Sequence, residues 1–124
     1  MKKFLFLLLL LGACSDSAVT MTEPSELKHG DQILDVRTVD EHEKAALALE
    51  HWLVPLDQLN VTEFISEHKP DTSKTLYILC RSGARAILAA KQFKKAGFQR
   101  VAVIRGGIIA AEKSGLKIKK EAQK

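Results

Sequence analysis

The sequence has few cysteines and little net charge, and each shortage excludes a class of protein. Only two cysteines occur, Cys14 and Cys80, so the chain is not a disulfide-rich scaffold. Its 19 basic and 15 acidic residues leave a net charge of +4, which falls to +2 without Lys2 and Lys3. The basic residues are not interleaved with aromatic ones, so the composition does not predict nucleic-acid binding. A length of 124 residues suits one compact domain.

The one long apolar run lies near the start of the sequence and is too short to span a membrane. Residues 4–11 are all apolar, whereas a spanning helix needs about 20 such residues. Two lysines precede the run, which is typical of a signal peptide. The following Leu11-Gly12-Ala13-Cys14 resembles the lipobox of bacterial lipoproteins. An ordinary secretory leader, cleaved near Ala13 with Cys14 incidental, is the alternative.

The lipobox resemblance implies a domain organisation and a location. Cys14 would carry the lipid, and the protein would face the periplasm as a membrane-anchored lipoprotein of the bacterial cell envelope. Ser15 rather than Asp follows the cysteine, which by the same resemblance favours the outer membrane in a Gram-negative cell. The predicted segments are a signal peptide (1–13), a lipidated cysteine with a flexible tether (14–24), a domain (25–116) and a solvated basic tail (117–124).

Short β-rich runs alternate with helical patterns after the tether. Thr38 and Glu41 have the spacing of a capping box, which predicts a helix that continues through the alanines to about Leu49. A brief helix is expected near Glu26-Leu27. The predicted strands are 32–36, 52–54, 75–79 and 101–104, and the other helices are 57–67, 83–96 and 108–113. The strands are apolar on both faces, which predicts an α/β fold with a parallel sheet of about five strands and helices on both sides.

The motif that carries chemistry follows the strongest predicted strand. It is the six-residue run Cys80-Arg81-Ser82-Gly83-Ala84-Arg85, directly before a predicted helix. Sites in open α/β sheets form at the carboxyl ends of strands. There the backbone N–H groups of the loop and the helix N-terminus favour a thiolate or a bound anion. An inert core thiol is the alternative for Cys80, since the preceding strand is buried.

This loop closely resembles the active-site loop of rhodanese domains, and three other segments agree in order and spacing. Ile33-Leu34-Asp35-Val36-Arg37 resembles the opening strand of that family, Val54-Pro55-Leu56 its Ile-Pro-Leu segment, and Gly106-Gly107-Ile108 its double glycine. The resemblance covers residues 27–115 and extends to the small periplasmic rhodaneses of the phage-shock type, which implies a monomer. Asp35 and Arg37, paired with Glu41, are expected to support the structure rather than to catalyse.

The resemblance implies sulfur transfer through a persulfide on Cys80. Thiosulfate or a similar small anion would be the donor, and cyanide or a thiol the acceptor. Loop N–H groups from Arg81 to Arg85 would stabilise the sulfur, with Arg81 facing outward and Arg85 bracing the loop. Related phosphatases have a loop one residue longer, so the shorter loop favours sulfur over phosphate chemistry. No cofactor is implied, and no Cys/His spacing predicts a metal.

The sequence departs from the family pattern at two places. The family usually has a Gly-His-Ile-x-Gly-Ala stretch where this chain reads Ala45-Ala46-Leu47-Ala48-Leu49, and a Trp where it has Ala111. The four histidines are expected to face solvent.

Three functional hypotheses follow from the sequence. They are a thiosulfate or persulfide sulfurtransferase, a thiol-redox or sulfur-delivery module with poor thiosulfate turnover, and a non-catalytic scaffold. The presence of Cys80, Arg81 and Arg85 argues against the scaffold.

Overall fold

The computed structural model describes residues 19–121. The predicted signal peptide, Cys14 and most of the predicted tether lie outside these residues, and lipidation of Cys14 stays a prediction. Among the described residues, no helix is long and apolar enough to cross a membrane.

Seven strands and four α-helices make up the described chain. The strands are β1 (Thr20–Thr22), β2 (Gln32–Asp35), β3 (Ala45–Leu47), β4 (Trp52–Leu53), β5 (Leu76–Leu79), β6 (Val101–Ile104) and β7 (Ile118–Lys120). The helices are α1 (Val39–Lys44), α2 (Val61–His68), α3 (Ala84–Lys95) and α4 (Gly107–Lys113). Short 3-10 turns occupy Pro24–Glu26 and Leu56–Gln58, so the brief first helix is a single turn, and α2 begins at its Asn60 cap rather than at Asp57.

The main sheet has five parallel strands in the order β1-β6-β5-β2-β4. This confirms the predicted parallel sheet. Residues 20–22, expected in the tether, form its edge strand β1 instead, so the folded part begins before residue 25. After β2 the chain first adds β4 on one side and then crosses back to add β5 on the other. The strand order therefore reverses between β2 and β5, the position at which open α/β sheets bind ligands.

Side chains alternate along the strands and fill two apolar clusters, one on each face of the sheet. On the first face, Leu34, Ile78 and Val103 pack against α2 and α3. On the second, Ile33, Leu79 and Ile104 pack against Leu47 of β3 and the apolar side of α4. Helices and β3 thus cover both faces, as strands without a polar side require.

The largest difference from the sequence prediction lies at residues 45–49. The capping box of Thr38 and Glu41 forms as expected, but α1 ends at Lys44. β3 then pairs antiparallel with β7. Leu47 is buried in the core, and the Arg37 guanidinium donates to the Ala45 carbonyl at 2.7 Å. These tertiary contacts outweigh the high helix propensity of the alanines.

The prediction of a solvated basic tail is also wrong in part, because β7 lies within that tail. Leu47 pairs with Ile118 in the ladder, and the Ala48 N–H donates to the Lys117 carbonyl at 3.0 Å. Ile118 packs against the second apolar cluster, while Lys119 and Lys120 remain exposed. The segment is therefore part of the second, two-stranded sheet despite its basic composition.

Candidate active site

The Cys80 loop lies at the carboxyl end of the central strand β5. Cys80 follows β5 directly, and α3 begins at Ala84. The Cys80 side chain is almost fully buried, with 1% of its surface exposed. Arg81, Ser82 and Ala84 are exposed. The loop thus holds its sulfur at the inner end and presents its other side chains to solvent.

The geometry of Gly83 brings a backbone donor to the sulfur. Its N–H donates to Cys80 Sγ at 2.9 Å. Gly83 has φ of +119°, a conformation that an L side chain rarely adopts. The next turn starts α3, because the Ile87 N–H donates to the Gly83 carbonyl at 3.1 Å. The sulfur therefore lies at the N-terminus of a twelve-residue helix, where the helix dipole favours negative charge.

The double glycine packs against the loop from the other side. The Ile108 N–H donates to the Cys80 carbonyl at 2.9 Å, and the Ile109 N–H to the Arg81 carbonyl at 3.4 Å. A Cβ at Gly107 would overlap both of these carbonyl oxygens. Only glycine allows the start of α4 to approach the loop this closely, so Gly107 is a positioning residue.

Arg85 is held by Glu41 rather than left free beside the sulfur. Its guanidinium donates to both Glu41 carboxylate oxygens, at 2.6 and 2.8 Å. These hydrogen bonds lower the pKa of Glu41 to about 2 and raise that of Arg85. Arg85 also interacts electrostatically with Cys80. The pairing fits the expected bracing role of Arg85, but Glu41 was not predicted from the sequence to be its partner.

Asp35 and Arg37 form a buried ion pair at the end of β2. Arg37 Nη2 lies 2.8 Å from Asp35 Oδ2, and both side chains are almost fully buried. The Arg37 backbone N–H also donates to the carboxylate, at 2.9 Å. The expected pair of Arg37 with the Glu41 carboxylate does not form, because that carboxylate binds Arg85. Arg37 instead donates to the Glu41 carbonyl at 3.3 Å.

One open cleft lies away from Cys80. A cleft of about 380 Å³ is lined by Gln32, Trp52 and Lys74, among others. Gln32 opens β2 and Lys74 precedes β5, so this cleft lies toward the amino ends of the strands. We assign it no part in sulfur chemistry, because the thiol lies at the opposite, carboxyl end.

Comparison with known proteins identifies the family. A model of the rhodanese-like domain matches residues 20–113. The chain therefore belongs to the rhodanese-like domain family. Its central parallel sheet and flanking helices are the fold of that family.

Named relatives agree with this assignment. The Bacillus subtilis (strain 168) protein "Putative sulfur carrier protein YrkF" is 36% identical over 70 residues, which cover 56% of this chain. Those residues are 35% of YrkF, so the chain spans about a third of that relative. A rhodanese-like domain protein from Staphylococcus aureus superposes with a TM-score of 0.62 at 24% identity, over 82% of this chain and all of that one. A thiosulfate sulfurtransferase from Pseudomonas aeruginosa superposes with a TM-score of 0.63 at 23% identity, over 76% of this chain and 18% of that one.

Proposed function

We propose that this chain is a sulfurtransferase that carries a sulfane sulfur on Cys80 as a persulfide. The observation that carries the proposal is the Gly83 N–H directed at Cys80 Sγ at 2.9 Å. A backbone donor in that position stabilises a sulfur that bears negative charge. An inert core thiol has no need of such a donor or of the left-handed glycine that supplies it.

The proposed reaction is a double displacement. The Cys80 thiolate attacks the outer sulfur of thiosulfate, the S–S bond of the donor breaks, and sulfite leaves with the electron pair. An acceptor such as cyanide or a thiolate then attacks the terminal sulfur, and the Cys80 thiolate leaves. Each step forms one bond to sulfur and breaks one, so no redox cofactor is needed.

The loop side chains divide into an entrance and a support. Arg81 is exposed and attracts the anionic donor, while Ser82 and Ala84 are small and leave the entrance open. Arg85 is bound by Glu41, which keeps the guanidinium in place. Asp35 and Arg37 support the neighbouring strand end and take no part in the chemistry.

A sulfur-delivery module is the second candidate. It is favoured by the relative named as a sulfur carrier, which shares 36% identity over 70 residues. In this role Cys80 receives its sulfur from a protein or low-molecular-weight persulfide and turns over thiosulfate slowly. The same persulfide forms on Cys80, so the two candidates differ in the donor alone.

The test is the mass of the intact protein after incubation with thiosulfate. We use the full chain in mild detergent on a Cys14→Ser background, which leaves Cys80 as its one thiol. Transfer of one sulfur adds about 32 Da through the covalent intermediate. Cys80→Ser on the same background is the control, and cyanide should remove the added mass.

Three results separate the hypotheses. A gain that requires Cys80 and is reversed by cyanide supports the sulfurtransferase. A gain from glutathione persulfide but not from thiosulfate favours sulfur delivery. A thiol that gains no sulfur from either donor and resists alkylation refutes the persulfide mechanism.

A further inference from the structure

Two histidines that are nine residues apart in the sequence meet in the fold. His42 of α1 and His51, which precedes β4, bring their Nε2 atoms to 2.7 Å. Both side chains are half-buried, contrary to the expectation that they face solvent, whereas His29 and His68 are exposed. The sequence spacing predicted no metal ligands, because the pairing depends on how the chain passes through β3 between α1 and β4.

A third donor lies beside this pair. Asp35, His42 and His51 each offer one ligand atom, and the three atoms lie within 4.8 Å of one another. Two imidazoles and a carboxylate are donors that Zn²⁺ takes in proteins. Side chains alternate along β2, so Asp35 lies on the same face of the sheet as Ile33, which belongs to the second apolar cluster. Cys80 belongs to the first apolar cluster. Asp35 and the thiol therefore lie on opposite faces of the sheet.

The hydrogen bonding of His51 orients it as a metal ligand. Its Nδ1 lies 2.7 Å from the Leu49 carbonyl oxygen. A carbonyl can only accept, so Nδ1 carries the proton and Nε2 keeps its lone pair. A backbone carbonyl on the second ring nitrogen is the arrangement that fixes metal-binding histidines. Without a metal, His42 Nε2–H donates to that lone pair.

A metal ion would replace this shared proton once the two Nε2 atoms separate and both rings turn toward the ion. In the bound form the His42 proton resides on Nδ1, so both rings stay neutral and both Nε2 atoms face the ion. Nitrogens bound at about 2.05 Å in a tetrahedral site lie about 3.3 Å apart. The Nε2 atoms, now 2.7 Å apart, would need to separate by only about 0.6 Å.

The surroundings of Asp35 determine which class of cation fits. Its carboxylate accepts from three N–H groups of Arg37, and a carboxylate has about four acceptor positions. Because Arg37 Nε is shared between both oxygens at 3.1 Å, these groups make four hydrogen bonds, and an ion would take the place of one Nε contact. Hard cations such as Mg²⁺ require several oxygen ligands, whereas Zn²⁺ binds well to neutral imidazoles.

We propose that His42 and His51, with Asp35 as the third donor, bind a borderline divalent cation of the Zn²⁺ class. Bound metal would tie the segment before β4 to α1. The same helix carries Glu41, which holds Arg85 beside the Cys80 loop. The proposal does not depend on the sulfur chemistry of that loop.

The test is Zn²⁺ binding by the untagged full chain in mild detergent, measured against a chromogenic chelator. Cys14→Ser and Cys80→Ser are present throughout, so that no thiol binds the metal. We expect one Zn²⁺ per chain, and binding at least tenfold weaker in His51→Ala and in His42→Gln. The glutamine amide of His42→Gln can still donate to His51, which preserves the fold. His29→Ala, at an exposed histidine, is the matched control and should bind as the parent does.

A second measurement guards against loss of folding. Zn²⁺ should raise the melting temperature of the parent and of His29→Ala but not that of His42→Gln, whose near-ultraviolet circular dichroism should match the parent. Tenfold excess Mg²⁺ should not displace Zn²⁺. The proposal is overturned if the parent binds no Zn²⁺, or if His42→Gln and His51→Ala both retain it.

Discussion

Gly107 offers the sharpest test of how the Cys80 loop is held in place. Replacing it by alanine adds a Cβ that overlaps the carbonyl oxygens of Cys80 and Arg81. Both atoms belong to the backbone, so no flexible side chain can move aside to make room. The start of α4 must then separate from the loop, which weakens the 2.9 Å hydrogen bond from the Ile108 N–H to Cys80.

The expected cost has two parts. Gly107 has φ of +62°, and a left-handed conformation costs an L residue about 1–2 kcal/mol. Overpacking of a tightly packed site costs about 1–3 kcal/mol more. Together these predict that Gly107→Ala lowers the free energy of unfolding by about 2–5 kcal/mol.

Gly115→Ala is the matched control, because it isolates the backbone strain. Gly115 has φ of +93°, and a Cβ there meets nothing within 4 Å. Its φ is farther from the left-handed helical region than that of Gly107, so its strain is at least as large. Any additional destabilisation in Gly107→Ala therefore comes from the overlap with the loop.

The assays are urea unfolding and the rate of sulfur uptake from thiosulfate by Cys80. We expect Gly107→Ala to lose about 1–3 kcal/mol more than Gly115→Ala, and to take up sulfur at least tenfold more slowly. The reasoning is refuted if the two variants unfold at the same urea concentration with the same slope and take up sulfur at the same rate.

Three further predictions concern stability. Glu41→Gln keeps a capping side chain but loses the charge opposite Arg85. Because Arg85 holds the pKa of Glu41 at about 2 rather than 4.5, the carboxylate stabilises the fold above pH 4.5 and loses this effect as the pH falls to 2. The full pKa shift corresponds to about 3 kcal/mol of stability, which partial exposure of the pair lowers to about 1–2 kcal/mol. Urea unfolding of Glu41→Gln should show this loss of unfolding free energy at pH 7, and the loss should decline below pH 4.5. A loss that does not depend on pH would contradict the prediction. Leu47→Ala should cost about 2–5 kcal/mol in the same assay, because Leu47 is fully buried. A cost below about 1 kcal/mol would argue against its burial in the second apolar cluster. Ending the chain after Leu116 removes β7 and should cost about 1–2 kcal/mol, whereas a solvated tail predicts no change.

Local patterns in the sequence were sufficient for the loop and for four of the five strands of the main sheet, but not for the edge strand β1. The apolar runs of β2, β5 and β6 are short and β-rich, and each predicted strand agrees with the structure to within a residue or two. The capping box of Thr38 and Glu41 also formed as predicted. Such signals depend on neighbours a few positions away, so they can be read without the fold.

The placement of residues 45–49 could not be predicted in the same way. Alanines favour a helix locally, and the pattern up to Leu49 agrees with one. The strand β3 forms because its backbone meets β7 about seventy positions later in the sequence and because Leu47 fills the second apolar cluster. Both causes are long-range, so no local window contains them.

The sequence by itself determined the fold class, the position of Cys80 after the central strand and the loop that surrounds it. The tertiary structure alone decided which distant partners the charged and titratable side chains meet. Arg85 pairs with Glu41 across 44 positions, and His42 meets His51 beside the buried Asp35. Hydrophobic periodicity specifies which faces are buried. Polar partners depend instead on distances between elements, which exist only once the sheet and its helices have packed.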